Sequence, residues 1–418
     1  ASLLGPATAA MAPNPFEHPV VICDNGSGYV KCGFHGDILP RHVFPSFVGR
    51  LSLQHHRGVA DKGLKEVMVG DEAEPHMAYL SLSYPIENGI IRNWDDMILI
   101  WEHTFQKLGI KTEEHSIVLT EAALNPAGNR AKMVKIMFER FKFRAVYVGA
   151  QAVLSLYSIG RTNGCVVDSG DGVTHVVPVV HNQILVEGVK RVDVAGRDVT
   201  HSLINLLTRA GYTFSSSEEL EWARKLKEDL CYVAHDPAED HKLATQTTTL
   251  LASVKLPNGK RVTMGRERYE APECLFQPPD IGRDVPGVGE TVYAAVESCP
   301  LDARGELFGN VILSGGTSML SGYKSRLERE LVLQFRQRVE ANLQGSTHAS
   351  HADKAVANFS KKILKIIARP ERRFQVYCGA RAFVEICVSN TALGESMFVT
   401  MDGYTEDPEA SLAKLRQI

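Results

Sequence analysis

Nowhere in its 418 positions does the chain hold a run of 18 uncharged apolar residues, so no membrane-spanning helix is expected. It also lacks any Cys-x-x-Cys pair. Its eight cysteines (23, 32, 165, 231, 274, 299, 378 and 387) are scattered, several inside apolar runs, which argues for buried thiols in a reducing cytosol or nucleus. Neither sign of charge is in large surplus: 46 Lys and Arg against 49 Asp and Glu give a formal net charge of −3, so nothing calls for nucleic acid or an anionic membrane. A P-loop is excluded because no GxxxxGK[ST] occurs, and the glycines at 26 and 28 are no dinucleotide fingerprint because they lead into a strand instead of a helix. With 44% hydrophobic and 23% charged residues, the chain is folded and long enough for two ordinary domains. Its first ten residues lack a methionine and a basic start and read as sequence appended ahead of Met11, a clipped signal peptide being the alternative.

Two segments share one grammar. "VVICDNGSGYVKCGF" (20–34) and "CVVDSGDGVTHVVPV" (165–179) each place Asp-x-Gly-x-Gly between β-rich runs, and each reads as a β-hairpin. Their aspartates, Asp24 and Asp168, lie 168 − 24 = 144 residues apart, which suggests a duplicated domain with one hairpin per half.

Each hairpin, taken alone, is a plain tight turn more often than a phosphate cradle. As a cradle, Gly26 and Gly28 remove the Cβ atoms that keep phosphate from backbone amides, Ser27 adds a hydroxyl and Lys31 a point charge. Asp24 repels phosphate unless it holds Mg²⁺ through water. The second copy favours the cradle: Asp168 takes the same metal-facing part, and Gly170, Asp171, Gly172 and Val173 offer amides from the opposite side. His175, on the outgoing strand, lines the path of an attacking water or is a satisfied core histidine. Gln151 in "YVGAQAVLSLY" can orient water without acting as a strong base.

Further along, "VILSGGTSM" (311–319) runs strand, paired glycines, helix start, and lets Gly315 and Gly316 lie flat against a nucleoside base. In "SSSEELEWARKLKEDLCYV", Ser215 and Glu218 have capping-box spacing. Arg224, Lys227 and Glu228 then share a helix face, as an exposed salt-bridged stripe or as part of the site. Residues 129–141 and 322–343 carry the apolar stripes of core-facing helices, "LPNGKR" (256–261) turns at Asn258-Gly259, and the alternation of strand and helix makes the class α/β. Residues 50–66, with His55 and His56, and residues 344–359, with His348 and His351, read as surface loops, the second in preference to a metal site because no Cys or carboxylate constellation surrounds it.

From about residue 19 to the end these motifs resemble the actin family: "DNGSG", "VFPS", "VGDEA", "YPIENGIIRNWDDM", "LTEAALNP", "QAVLSLY", "VVDSGDGVTHVVPV", "DVAGRDVT", "KLKEDLCYV", "APECLFQP", "ILSGGTSM" and "PERRF" occur in order. The resemblance implies the actin-like ATPase fold, duplicated ribonuclease H-like cores around a cleft for ATP or ADP with Mg²⁺. It implies subdomain 1 at 19–45, 83–158 and 375–418, subdomain 2 at 46–82, subdomain 3 at 159–194 and 285–374, and subdomain 4 at 195–284, after an extension at 1–18. It assigns Asp24, Gly26, Ser27, Gly28 and Lys31 to phosphates and metal, Gln151, Asp168 and His175 to metal and attacking water, and Gly170–Val173 to phosphates. Gly196, Arg224, Lys227, Glu228, Gly315, Gly316, Thr317, Met319 and Arg373 go to ribose and base. Leu320, Arg373 and Ala380 depart from the family, standing where it has tyrosine, lysine and glycine.

Asn88 and Arg92 in "IENGIIRNW", with "RYEAPE" and "GVGE", lean toward the actin-related subunits of the actin-branching complex. That implies a slow ATPase used as a timer, with actin-related protein 3, the other complex subunits, actin filaments and nucleation-promoting factors as partners, in cytoplasm and cytoskeleton with the nucleus as an alternative. The rivals are a divergent polymerising actin, a nuclear actin-related protein in a remodelling complex and, least favoured, a sugar kinase. That kinase needs a carboxylate base where His175 stands.

Overall fold

The computed structural model describes residues 16–51, 64–342 and 349–414. Strand β1 (Val21–Asn25) turns through Gly26–Gly28 into antiparallel β2 (Tyr29–Phe34), and β3 (His42–Pro45) continues the meander. On the other side of β1, β4 (Ile117–Glu121) and β5 (Ala145–Ala150) add in parallel, and the short strand β12 (Val399–Thr400) closes the sheet. The second sheet repeats this plan. Its hairpin is β6 (Gly164–Ser169) and β7 (Thr174–Val180), extended by β8 (Gln183–Ile184), with β9 (Lys190–Val192) also on β7. Then β10 (Val311–Ser314) and β11 (Ile366–Ile367) add in parallel to β6. Both sheets therefore run third strand, hairpin, two parallel strands, and the duplicated α/β core expected from the paired hairpins is present.

The parallel strands need long crossovers, and helices supply them. Helix α1 (Trp94–Leu108) starts where Asn93 accepts a hydrogen bond from the Asp96 amide and stops at Gly109, whose φ of 66° ends the helix in the left-handed region. Its inner stripe, Met97, Ile100, Trp101, Phe105 and Leu108, joins β1, β4 and α2 (Ala127–Glu139) in the core of the first half. Helix α3 (Gln151–Tyr157) is where the halves meet: Leu154 belongs to a first-half core and Leu156 packs with Val166, Val177 and Ile312 of the second sheet. The fit of α3 against α8 (Gln375–Ser389) needs Gly379, because a Cβ there would lie 1.6 Å from the Leu154 carbonyl oxygen. In the second half, α4 (Gly196–Arg209), α5 (Ser217–Leu230) and α6 (Tyr323–Asn342) bury Val199, Leu203, Leu226, Leu327 and Leu331 in one cluster.

Several sequence expectations change. The capping box of α5 uses Ser216 and Glu219, one residue later than the Ser215 and Glu218 spacing: the Ser216 hydroxyl accepts from the Glu219 amide at 3.2 Å, and Glu219 accepts from the Ser216 amide at 3.1 Å. Three consecutive serines before consecutive glutamates allow either frame, and the buried positions Ala223, Leu226 and Lys227 select the later one. The stretch 344–359 is not all loop: Ala349–Asn358 forms helix α7. Ala352, Val356 and Phe359 are buried at helical spacing, and Phe359 stacks on Phe335 of α6 at 4.1 Å. Small residues concealed that stripe. His351 is exposed on α7, and His348 lies outside the described residues. So do residues 1–15 and 52–63, which include His55 and His56. Phe16, at the end of the expected extension, packs edge-on against Phe398, and Glu17 pairs with Arg144 at 2.8 Å.

The Asn258-Gly259 turn forms as expected, joining Ala252–Lys255 to Arg261–Met264 with Gly259 at φ 84°. All eight cysteines are free thiols, seven of them buried. Among the described residues no helix is long and apolar enough to cross a membrane, and no cluster of His, Cys, Asp or Glu is arranged to hold a metal by itself.

Candidate nucleotide cleft

The first hairpin is built around Asp24. The β1–β2 register sets Asp24 directly opposite Lys31, and the ammonium pairs with the carboxylate at 2.9 Å. Asp24 is buried, and its other oxygen accepts from the Thr120 hydroxyl at 2.7 Å and the Gln151 amide at 3.3 Å. Thr120 is the penultimate residue of β4 and Gln151 opens α3, so a neighbouring strand and the helix after β5 converge on the carboxylate that β1 carries. Thr120 is absent from the residues picked out by sequence; only its place at the end of a parallel strand, inside "LTEAALNP", could have marked it. Asn25 is held from below by the Cys23 thiol and the Trp101 indole, each 3.3 Å from its Oδ1. Ser27 accepts at 2.9 Å from the Gly89 amide, at an Asn88-Gly89 turn with φ 48° and 79°.

The second hairpin sets Asp168 opposite His175 in the same register. Its turn is tied back to the base of the cleft. The Gly170 carbonyl accepts from the Gly196 amide at 3.1 Å and the Thr317 hydroxyl at 2.6 Å. The Asp171 carbonyl accepts from the Arg197 amide at 2.8 Å, and the Arg197 guanidinium donates to the Asp171 carboxylate at 3.0 Å. Lys227, almost fully buried, donates to the Gly196 carbonyl at 2.8 Å.

The two hairpins face each other at their glycines. A Cβ on Gly28 would lie 2.7 Å from that of Asp171, and a Cβ on Gly172 would lie 3.1 Å from that of Ser27. At Gly28 only glycine allows this approach, the neighbour being the Asp171 side chain; at Gly172 a side chain would force Ser27 to give by a few tenths of an ångström. At the base side, Gly315 has φ 85°, and a side chain there would meet the Ser169 carbonyl at 2.2 Å; Gly316 faces open space. Thr317–Met319 is a single 3₁₀ turn ending in Met319, 38% exposed. Arg372 holds this turn by donating to the Ser318 carbonyl at 2.8 Å. Arg373 is exposed with its guanidinium over Phe374, so its neighbour, missed in the sequence, is the arginine that touches the turn. Leu320 packs on the second-half core, and Ala380 is buried in α8.

Asp168 and His175, opposite each other on the second hairpin, have displaced acidities. Lost hydration raises Asp168 to about 6, with Lys31 opposing, Asp24 adding repulsion and Ser314 opposing. Burial lowers His175 to about 4, Arg191 adding to the effect and Asp193 opposing it. His175 is only 4% exposed, and its Nε2 has no hydrogen-bond partner among the described residues. A buried imidazole nitrogen without a partner is costly unless water or a ligand meets it. Two aspartates, a neutral imidazole with an unmet nitrogen and two hairpin turns that meet at glycine fit a polyphosphate with a water-coordinated divalent cation.

Arginines cross from the second half to tyrosines of the first. Arg197 lies 4.7 Å from the Tyr84 ring centre and Arg224 lies 5.1 Å from that of Tyr29. Arg224 and Glu228 pair with each other at 2.5 Å, on the helix face expected from their spacing.

The family model described as actin matches residues 16–410. Actin-related protein 2 of Schizosaccharomyces pombe is 43% identical over 401 residues, covering 96% of this chain and 98% of that protein. The proteins of the same name from Saccharomyces cerevisiae and Drosophila melanogaster are 42% identical over 400 residues (95% and 98% covered) and 40% identical over 406 residues (96% and 98% covered).

Proposed function

The chain belongs to the actin family, and we propose that it is an ATP-binding, actin-related subunit of the complex that nucleates branched actin filaments. With actin-related protein 3 it forms the template on which a branch grows, nucleation-promoting factors favouring the active arrangement. The observation that carries the nucleotide reading is the approach of Gly28 to Asp171, with a carboxylate in each hairpin behind it. Similarity to three proteins named actin-related protein 2 supports the choice of complex over a polymerising actin or a remodelling subunit.

In this reading Asp24 and Asp168 would hold Mg²⁺ through water, and the cation would supply positive charge against the phosphates. Gly26–Gly28 and Gly170–Val173 grip the phosphates from opposite sides, Lys31 keeps charge balanced beside Asp24, and Gly196, Lys227 and the Gly315–Met319 turn border the nucleoside. Gln151 and neutral His175 orient a water. Neither is a strong base, so hydrolysis is slow and serves as a timer that weakens the branch.

Affinity purification of the tagged chain from its own cells tests the assignment. Co-purification of actin-related protein 3 and stimulation of actin polymerisation by the isolated complex are the expected results. A purified chain that forms filaments alone in salt and ATP would sink the subunit assignment.

A further inference from the structure

Tyr29 begins β2 immediately after Gly28, and its carbonyl accepts from the Gly26 amide at 3.1 Å, closing the first hairpin turn. Its ring therefore moves with that hairpin. Arg224 belongs to the other half, on α5, whose Ala223 and Leu226 are buried in the second half. Glu221 takes one edge of the guanidinium, accepting from Nε at 2.8 Å, and Glu228 accepts from another nitrogen at 2.5 Å. With its edges held by carboxylates on its own helix, the guanidinium is fixed in place, and its centre stands 5.1 Å from the Tyr29 ring centre. That is a cation–π distance, made across the cleft between residues 195 positions apart (224 − 29). Beside it, Lys225 of the same helix reaches Glu74 of the first half at 3.4 Å; that pair is exposed and contributes little.

We infer that Tyr29 and Arg224 form a latch across the cleft that slows nucleotide release. The inference rests on the nucleotide reading above. Parting the two halves along α5 separates the guanidinium from the ring, so this contact must break before a bound nucleotide leaves past Arg224. Arg224 alone is held within its own helix. Tyr29 is what links it to the phosphate hairpin, and the ring face, not the hydroxyl, carries the attraction.

Release of N-methylanthraniloyl-ATP, with Mg²⁺, from the full chain into excess unlabelled ATP tests this. Tyr29→Leu, which keeps bulk but removes the aromatic face, should release about three- to tenfold faster, while Tyr29→Phe stays within about twofold of the parent. In an Arg224→Gln background, Tyr29→Leu should add almost nothing. Equal release from Tyr29→Leu and parent, or an undiminished Tyr29→Leu effect without Arg224, overturns the latch while leaving nucleotide binding intact. A parent chain that binds no labelled ATP overturns the nucleotide reading, and the latch with it. Should Tyr29→Leu fail to fold by circular dichroism, Arg224→Gln alone decides: release no faster than the parent rules the latch out.

Discussion

Lys31 and His175 occupy one and the same position in two copies of a hairpin, each directly across the ladder from the aspartate that opens its turn, Asp24 and Asp168. The chemistry at that position has diverged. Lys31 is a cation paired with its aspartate at 2.9 Å, whereas His175 is buried, held down to about 4 and therefore neutral near pH 7. One hairpin thus carries a paired cation at this position and the other an uncharged imidazole.

That asymmetry predicts separable roles. Gln151→Ala and His175→Ala should leave ATP binding within about threefold while phosphate release falls on the order of 10²-fold. Because His175 is neutral above about pH 5, hydrolysis should show no inflection from it between pH 6 and 8. Unchanged phosphate release in both variants would remove the water-positioning role.

The same two hairpins predict opposite pH dependences of stability in the nucleotide-free chain. Between about 4 and the ordinary 6.5, His175 binds a proton unfolded but not folded, so its contribution grows as pH rises. Asp168 keeps its proton up to about 6 when folded but loses it near 3.8 when unfolded, so its contribution shrinks as pH rises through that window. Urea unfolding at pH 4.5 and 6.5 should show His175→Gln losing stability with rising pH relative to the parent, and Asp168→Asn gaining it. Parallel slopes in the two variants contradict the assignment.

The paired glycines of the base-side turn should differ sharply. Gly315→Ala forces a side chain against the Ser169 carbonyl at φ 85° and should cost about 2–3 kcal/mol of stability. Gly316→Ala meets nothing within 4 Å and should stay within about 0.5 kcal/mol. Thermal melts of the two variants distinguish a shaped turn from a merely glycine-rich one.

Arg326 is 2% exposed and donates to Glu273 at 2.7 and 2.9 Å, to Glu330 at 2.6 Å and to the Ala234 carbonyl at 3.1 Å. Arg326→Met should cost about 2–4 kcal/mol, since it leaves two partly buried carboxylates without their cation. Adding Glu273→Gln should recover part of the loss. A double variant as unstable as the single one would place the cost in packing.

Much of the candidate cleft was legible because its turns are local. Asp24, Gly26 and Gly28 follow one another within five residues, and so do Asp168, Gly170 and Gly172; the β-rich runs beside them force a turn at the glycines. The Gly315-Gly316 pair was equally plain as a turn after a strand, although only Gly315 adopts the left-handed backbone that favours glycine. Less legible were positions whose role depends on a neighbour far along the chain. Thr120 is an ordinary strand residue until β4 lies beside β1, Arg372 and Arg373 are indistinguishable until one meets Ser318, and Tyr29 is one aromatic among many until α5 crosses the cleft.

The sequence by itself determined the two hairpins, their aspartates and glycines, and the α/β alternation, because turn chemistry and hydrophobic period act over a few residues. Only the tertiary structure decided that the hairpins face each other and that Thr120 and Gln151 converge on Asp24. It alone placed a neutral histidine opposite one aspartate and a lysine opposite the other in matching environments of different burial. Those outcomes depend on strand order and on how two cores pack about α3, where contacts between residues more than a hundred positions apart set both distance and hydration.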